Sequence, residues 1–184
     1  MGWSDVGLLL IRLVIGGTLI LHGWNHWLGG GKIPGTARWF EGLGLRPGRV
    51  TATVAGLSEL GGGLLTAAGL GSPVGPVAIA GTMAVASAVH RASGPFAADR
   101  GYELPVTNLA AALALAVAGP GRYSLDGLTG LRLHRILTGI VVAGAVGGAA
   151  VNVAMLLRAA PPVAAPTATA PPAAEAGTPE ADAS

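Results

Sequence analysis

Apolar blocks about as long as a bilayer's hydrocarbon core is thick constrain this chain more than any other feature. They run from Val6 to Leu28, Val50 to Leu70, Val74 to His90, Glu103 to Ala118 and Ile136 to Leu157, separated by short charged loops. Only 11% of the 184 residues are charged, against about 25% in a soluble domain. A surface wetted all round is excluded, and five transmembrane helices are expected in an all-α integral membrane bundle. Pro105 suits a first helical turn, and Gly119-Pro120-Gly121 stops that helix. Gly69-Leu70-Gly71-Ser72-Pro73 makes a tight turn between the second and third spans. The first block lacks a basic leader, and Gly23-Trp24-Asn25-His26-Trp27 offers no small-x-small site, so a cleaved signal is not expected. From Ala159 the chain turns to Ala, Pro and Thr without large apolar residues, which predicts a disordered tail.

Charge sets orientation. Lys32, Arg38, Arg46, Arg49, Arg91, Arg100 and Arg158 fall on one face, and Arg122, Arg132 and Arg135 on the other. The positive-inside rule then places the first and third loops in the cytoplasm. A net charge of +2, no basic stripe and 4% aromatics exclude a nucleic-acid partner. The chain has no Cys, which excludes thiolate ligation and thiol nucleophiles. No nucleotide, flavin or iron–sulfur motif is present, and Gly61-Gly62-Gly63 lacks the context of a phosphate loop. Heavy Ala, Gly, Pro and Arg usage with little Lys points to a GC-rich bacterial genome, and with the apolar spans the expected location is a bacterial inner membrane.

The informative residues are the ionisable ones inside the spans. A central Arg costs about 3 kcal/mol to insert, while each large aliphatic returns about 0.3–0.6 kcal/mol, so the first span can carry Arg12. At 100° per residue Asp5, Arg12 and His26 share a face with Gly16 and Gly23, with His22 at its edge. Such a polar stripe beside small residues turns into a bundle. Glu59 lies near the middle of the second span, whose aliphatics are fewer. If the spans end on one plane, His26 lies about 3 Å below it, His22 about 9 Å, Glu59 about 14 Å and Arg12 about 24 Å. His90, Tyr102 and Glu103 collect toward the same side, beside Trp24, Trp27 and Trp39. Two readings stay open: a ligand site, or an Arg12–Glu59 pair that fixes helix register. His22 and His26 have i, i+4 metal spacing but no clear third ligand, so no metal is expected. Haem between His26 and His90 is weaker still. Gly144 and Gly148 leave open a homodimer face or packing of the fifth helix within its own bundle.

His22-Gly23-Trp24 through Lys32, then Gly42-Leu43-Gly44-Leu45, resembles the end of the first helix and first loop of the DoxX family. Glu59-Leu60-Gly61-Gly62-Gly63-Leu64-Leu65 up to Gly69-Leu70, Gly101-Tyr102-Glu103, and Gly119-Pro120-Gly121-Arg122-Tyr123-Ser124-Leu125-Asp126 extend the resemblance in order, from about Leu8 to Asp126. It implies a four-helix membrane core over 1–130, with an additional transmembrane helix over 131–158 and the tail over 159–184. It implies motif positions at Arg12, Lys32, Glu59, Gly101, Tyr102, Glu103 and Asp126, with no catalytic role to carry over. It also implies a redox association. The family takes its name from a small subunit of a thiosulfate:quinone oxidoreductase, and some similar proteins anchor a superoxide dismutase and a sulfurtransferase.

The reading that follows is a redox-associated membrane subunit, an accessory rather than a self-sufficient enzyme. It binds a quinone-like or other small amphiphile among the first four helices, through Arg12, His22, His26, Glu59, His90, Tyr102 and Glu103. One rival is a non-catalytic scaffold that recruits cytosolic redox enzymes through the basic loops. Another is a small-solute transporter, for which no internal repeat is seen. The expected partners are the lipid bilayer, redox-enzyme subunits and a second copy through the fifth helix.

Overall fold

A computed structural model describes residues 2–29, 31–133 and 135–159. The expected disordered tail, beyond Ala159 itself, lies outside them. Among the described residues the chain is all-helical: α1 (Trp3–Leu28), α2 (Lys32–Gly42), α3 (Gly48–Ala68), α4 (Val74–His90), α5 (Glu103–Ala118), α6 (Leu125–Thr129) and α7 (Arg135–Arg158), with 3-10 turns at Arg91–Ser93 and Ala97–Asp99. The ends follow from residue chemistry. Gly69 is left-handed (φ 63°), and the Leu70 N–H donates to the Leu65 carbonyl at 3.0 Å, closing α3 in a Schellman arrangement. Gly119 (φ 81°) ends α5 just before Pro120.

All five expected spans are present as helices. By length and composition α1 and α7 can cross a bilayer alone. The 17-residue α4, the 16-residue α5 and α3, which holds Arg49 and Glu59, do not meet that measure individually. The stretch read as the first loop contains α2. Only Ala37 and Phe40 of its 11 residues are buried, too little periodic signal to recognise, and the helix is held by packing on α3.

The helices share their surfaces through glycine. A Cβ on Gly16 would sit 2.7 Å from the Ala67 nitrogen and the Gly63 carbonyl, and one on Gly23 would collide with the Leu60 backbone. Gly56 backs onto Trp27 in the same way. These contacts set an antiparallel register: Trp27 meets Gly56, Gly23 meets Leu60, and Gly16 meets Gly63 and Ala67. α3 therefore runs about seven residues past the end of α1, and α2 packs on that overhang, with the Glu41 carboxylate accepting from the Gly48 N–H at 3.2 Å. The spans do not end on one plane, which corrects the depth estimate made from the sequence. The same register puts Arg12 level with the α3–α4 turn rather than with Glu59.

On its other side α3 meets α4, Gly62 against Ile79 and Gly75. The main core joins Ile15, Leu19, Ile79, Ala80, Met83 and Ala112. α7 lies along α4, with Ala145 against Gly81, and its Leu156 joins Phe40, Leu45 and Ala52 in a second cluster. Gly144, Gly147 and Gly148 have open space in front of them, so α7 meets its own bundle without using them.

Candidate functional site

The polar interior is divided between two ends of the bundle. At the end with the α3–α4 turn, Arg12 is only 2% exposed. Its guanidinium donates to the Pro120 carbonyl, and to the Tyr123 carbonyl at 2.6 Å. α5 stops early and Gly119–Tyr123 dips into the bundle end, bringing these acceptors down to the arginine. Asp126 completes the clasp: its carboxylate accepts from the N–H groups of Gly71 and Ser72, each at 2.8 Å, and its own N–H donates to the Gly69 carbonyl at 3.0 Å. Ser124 caps α6, accepting from the Gly127 N–H at 3.0 Å. Asp5 adds a tie from the start of α1, accepting from the Arg122 N–H at 2.9 Å. Gly69 is required here twice over, by its positive φ and because a Cβ would strike the Arg12 guanidinium. The cavity beside Arg12 and Thr66 measures about 10 Å³, room for one water at most and far too small for a ligand ring. Arg12 thus holds the closing loop and does not pair with Glu59.

The other end is built by α1, α2 and α3. The His26 Nε2 lies 3.2 Å from the Glu59 Oε2, with side-chain exposures of 18% and 8%. The approach misses the alignment of a full hydrogen bond, so Oε2 has the distance of an ion pair but no aligned donor. The opposite ring nitrogen, Nδ1, is 3.2 Å from the Thr36 Oγ, and the Thr36 hydroxyl donates to the Lys32 carbonyl at 3.2 Å. Phe40 leans on the imidazole with ring centroids 6.5 Å apart. Trp27, one residue along α1, presents a buried indole Nε1 with no hydrogen-bond partner, against Gly56 one turn of α3 from Glu59.

Of the residues selected from the sequence, then, the fold brings His26 and Glu59 together. His22 is exposed, and His90 is half-buried at the end of α4. Among the described residues neither imidazole makes a hydrogen bond or ion pair. Tyr102 and Glu103 are exposed, and the Glu103 carboxylate is spent on the Ala97 N–H at 3.0 Å, closing its own loop. Two contributors were missed. Thr36 sits on the unrecognised α2, and Trp27 reads in sequence as one more interfacial tryptophan.

Side chains are distributed inside out. Arg12 and Glu59 are buried, while Leu10, Leu13, Val14 and Leu21 of α1, Leu57 and Leu64 of α3, and Ile136, Ile140 and Val146 of α7 are exposed. Charge inside and aliphatic surface outside define a membrane-embedded helical bundle. The DoxX family model matches residues 7–91, from α1 to the end of α4, and this stretch is a DoxX-like segment. No curated protein and no solved structure gives a match.

Proposed function

We propose that this protein is a redox-associated membrane subunit that binds a quinone-like headgroup at the α1–α3 seam, beside His26, Trp27 and Glu59. One observation carries the reading: a buried indole N–H and a buried carboxylate oxygen, both without aligned partners, sit at the α1–α3 seam, Trp27 against Gly56 and Glu59 one turn further along α3. Leaving such groups unmade costs about 1–3 kcal/mol each, and polar groups placed so in a membrane mark function. A quinone carbonyl accepts from Trp27, a quinol hydroxyl donates to Glu59, and aliphatic α1 and α3 surfaces give an isoprenoid chain somewhere to lie. Arg12 and His22 drop out of the headgroup site, the first spent on backbone carbonyls and the second exposed.

Native mass spectrometry of protein extracted in mild detergent tests this. A bound quinone is expected, lost in Glu59→Gln and Trp27→Phe while the helical circular-dichroism signal is kept. Quinone-free protein that added short-chain quinone does not stabilise refutes the reading.

A second reading, recruitment of cytosolic redox enzymes by a scaffold, is favoured by the exposure of Lys32, Arg38, Arg46 and Arg49 around α2. It predicts crosslinked partners that disappear when those arginines are neutralised and persist in Glu59→Gln. In either case we place the chain in a bacterial inner membrane as a multi-pass protein, with the α2 end in the cytoplasm. Residues 1–130 form the core and α7 is an added span, whose open Gly144, Gly147 and Gly148 face is where a second copy would pack.

A further inference from the structure

Thr36, His26 and Glu59 sit in an order that has a direction. Glu59 is buried, its side chain 8% exposed; that of His26 is 18% exposed; Thr36 is half-buried on α2, and Lys32 lies open at the loop face. The hydrogen-bond geometry favours one arrangement of protons. A hydroxyl has a single hydrogen, and that of Thr36 goes to the Lys32 carbonyl. With the hydroxyl so engaged its oxygen accepts from His26, an arrangement that puts a hydrogen on Nδ1 and turns Nε2 toward Glu59; the opposite tautomer would instead have Thr36 donate to Nδ1. A bare lone pair facing an anionic oxygen at 3.2 Å would repel it, so in this arrangement the pair holds one proton, on Nε2 or on the Glu59 carboxyl, without the alignment of a hydrogen bond between them.

We infer that these three side chains form a proton relay between Glu59 and the aqueous face at α2, an inference that rests for its purpose on the headgroup site beside Glu59. In the outward direction Nε2 takes the proton shared with Glu59. The Nδ1 proton leaves to the Thr36 oxygen as the hydroxyl turns from the Lys32 carbonyl and gives its own proton to bulk water at the loop face. Glu59 is left as the carboxylate and His26 as the neutral Nε2–H form, so one proton has moved and charge is conserved. Inward transfer is the reverse. A quinone beside Glu59 needs such a supply because its reduction to quinol consumes protons, whereas a register-fixing ion pair needs no contact with α2.

The test is hydrogen–deuterium exchange of the His26 ring protons, read by nitrogen-15 NMR on histidine-labelled full chain in nanodiscs, with His26→Asn assigning the signals. Thr36→Val, nearly isosteric, is expected to slow exchange about tenfold, the kinetic equivalent of one lost hydrogen bond. Thr36→Ser is expected to restore it. Exchange at the wild-type rate in Thr36→Val overturns the relay, as does a His26 Nδ1 that carries no hydrogen. If Thr36→Val does not fold, the Nδ1 state of the wild-type protein still decides. Quinone binding, followed by quenching of tryptophan fluorescence in the same samples, separates the two claims. Binding with unaltered exchange sinks the relay alone, and slowed exchange without binding sinks the headgroup site alone.

Discussion

Replacing Arg12 by Leu separates insertion from folding. Inserting α1 becomes easier by about 3 kcal/mol, because a central arginine no longer enters the bilayer. Closing the bundle becomes harder. The guanidinium donates to two carbonyls, at Pro120 and Tyr123, and hydrogen bonds to charged groups are worth about 1.5–3 kcal/mol each. Removing the donor strands both acceptors in an interior where Arg12 is 2% exposed, so a loss of about 3–5 kcal/mol is expected. Arg12→Lys, able to reach one carbonyl at a time, should lose about half as much. Unfolding in mixed micelles, followed by far-ultraviolet circular dichroism, measures the global term. Trypsin cleavage after Arg122, inside the loop that Arg12 holds, measures the local one, because 3 kcal/mol of opening free energy multiplies the open population by about 10². His26 lies about 21 Å away along α1, so its signals should not move. Full stability and unaltered cleavage in Arg12→Leu would refute the clasp and return Arg12 to the list of ligand groups.

Three further outcomes follow from particular contacts. Gly23→Ala drives a Cβ into the Leu60 backbone and should cost about 1–3 kcal/mol of unfolding free energy; Gly61→Ala, with nothing within 4 Å, serves as the control and should cost nothing. In detergent dilute enough to keep the chain monomeric, Gly144→Leu should leave the unfolding midpoint unchanged because its face is open, and a lower midpoint there would mean that this face packs inside the bundle. Because the chain has no Cys, a single Arg38→Cys reports topology: membrane-impermeant thiol reagent should label it only from the cytoplasmic side.

The parts of this fold that were legible in sequence are those where one residue type does one local job. α4 and α5 start and stop where the reading placed them, Val74–His90 and Glu103–Ala118, because Pro, Gly and a flanking charge mark each end. α1, α3 and α7 agree to within three residues. The site was less legible, and for a physical reason. Arg12 Nη1 and Nη2 bind main-chain carbonyls, which have no residue code, so an arginine and a glutamate in neighbouring spans read as each other's partners. Asp126 was recognisable only as a motif position, since it too binds backbone.

The distance between His26 and Glu59 was misjudged because depth was counted from helix ends, whereas glycine contacts set the register. Gly16, Gly23, Gly56 and Gly63 lock α1 to α3 at a fixed offset, and that offset decides which charges meet. It carries Arg12 to the Gly69 turn, where its guanidinium binds the Pro120 and Tyr123 carbonyls and Asp126 binds the turn's own N–H groups. It carries His26 to Glu59, where Trp27 and the carboxylate are left without aligned partners. An ion pair kept only for stability would gain from the alignment that this pair lacks, and from losing its side branch to Thr36. Buried atoms without partners occur at both ends, Arg12 Nε and Thr66 Oγ1 at one and Trp27 Nε1 and Glu59 Oε2 at the other. What argues for function at His26 and Glu59 is that a carboxylate lacks an aligned donor there and that its histidine also reaches Thr36 of α2, whereas the Arg12 guanidinium ties the closing loop.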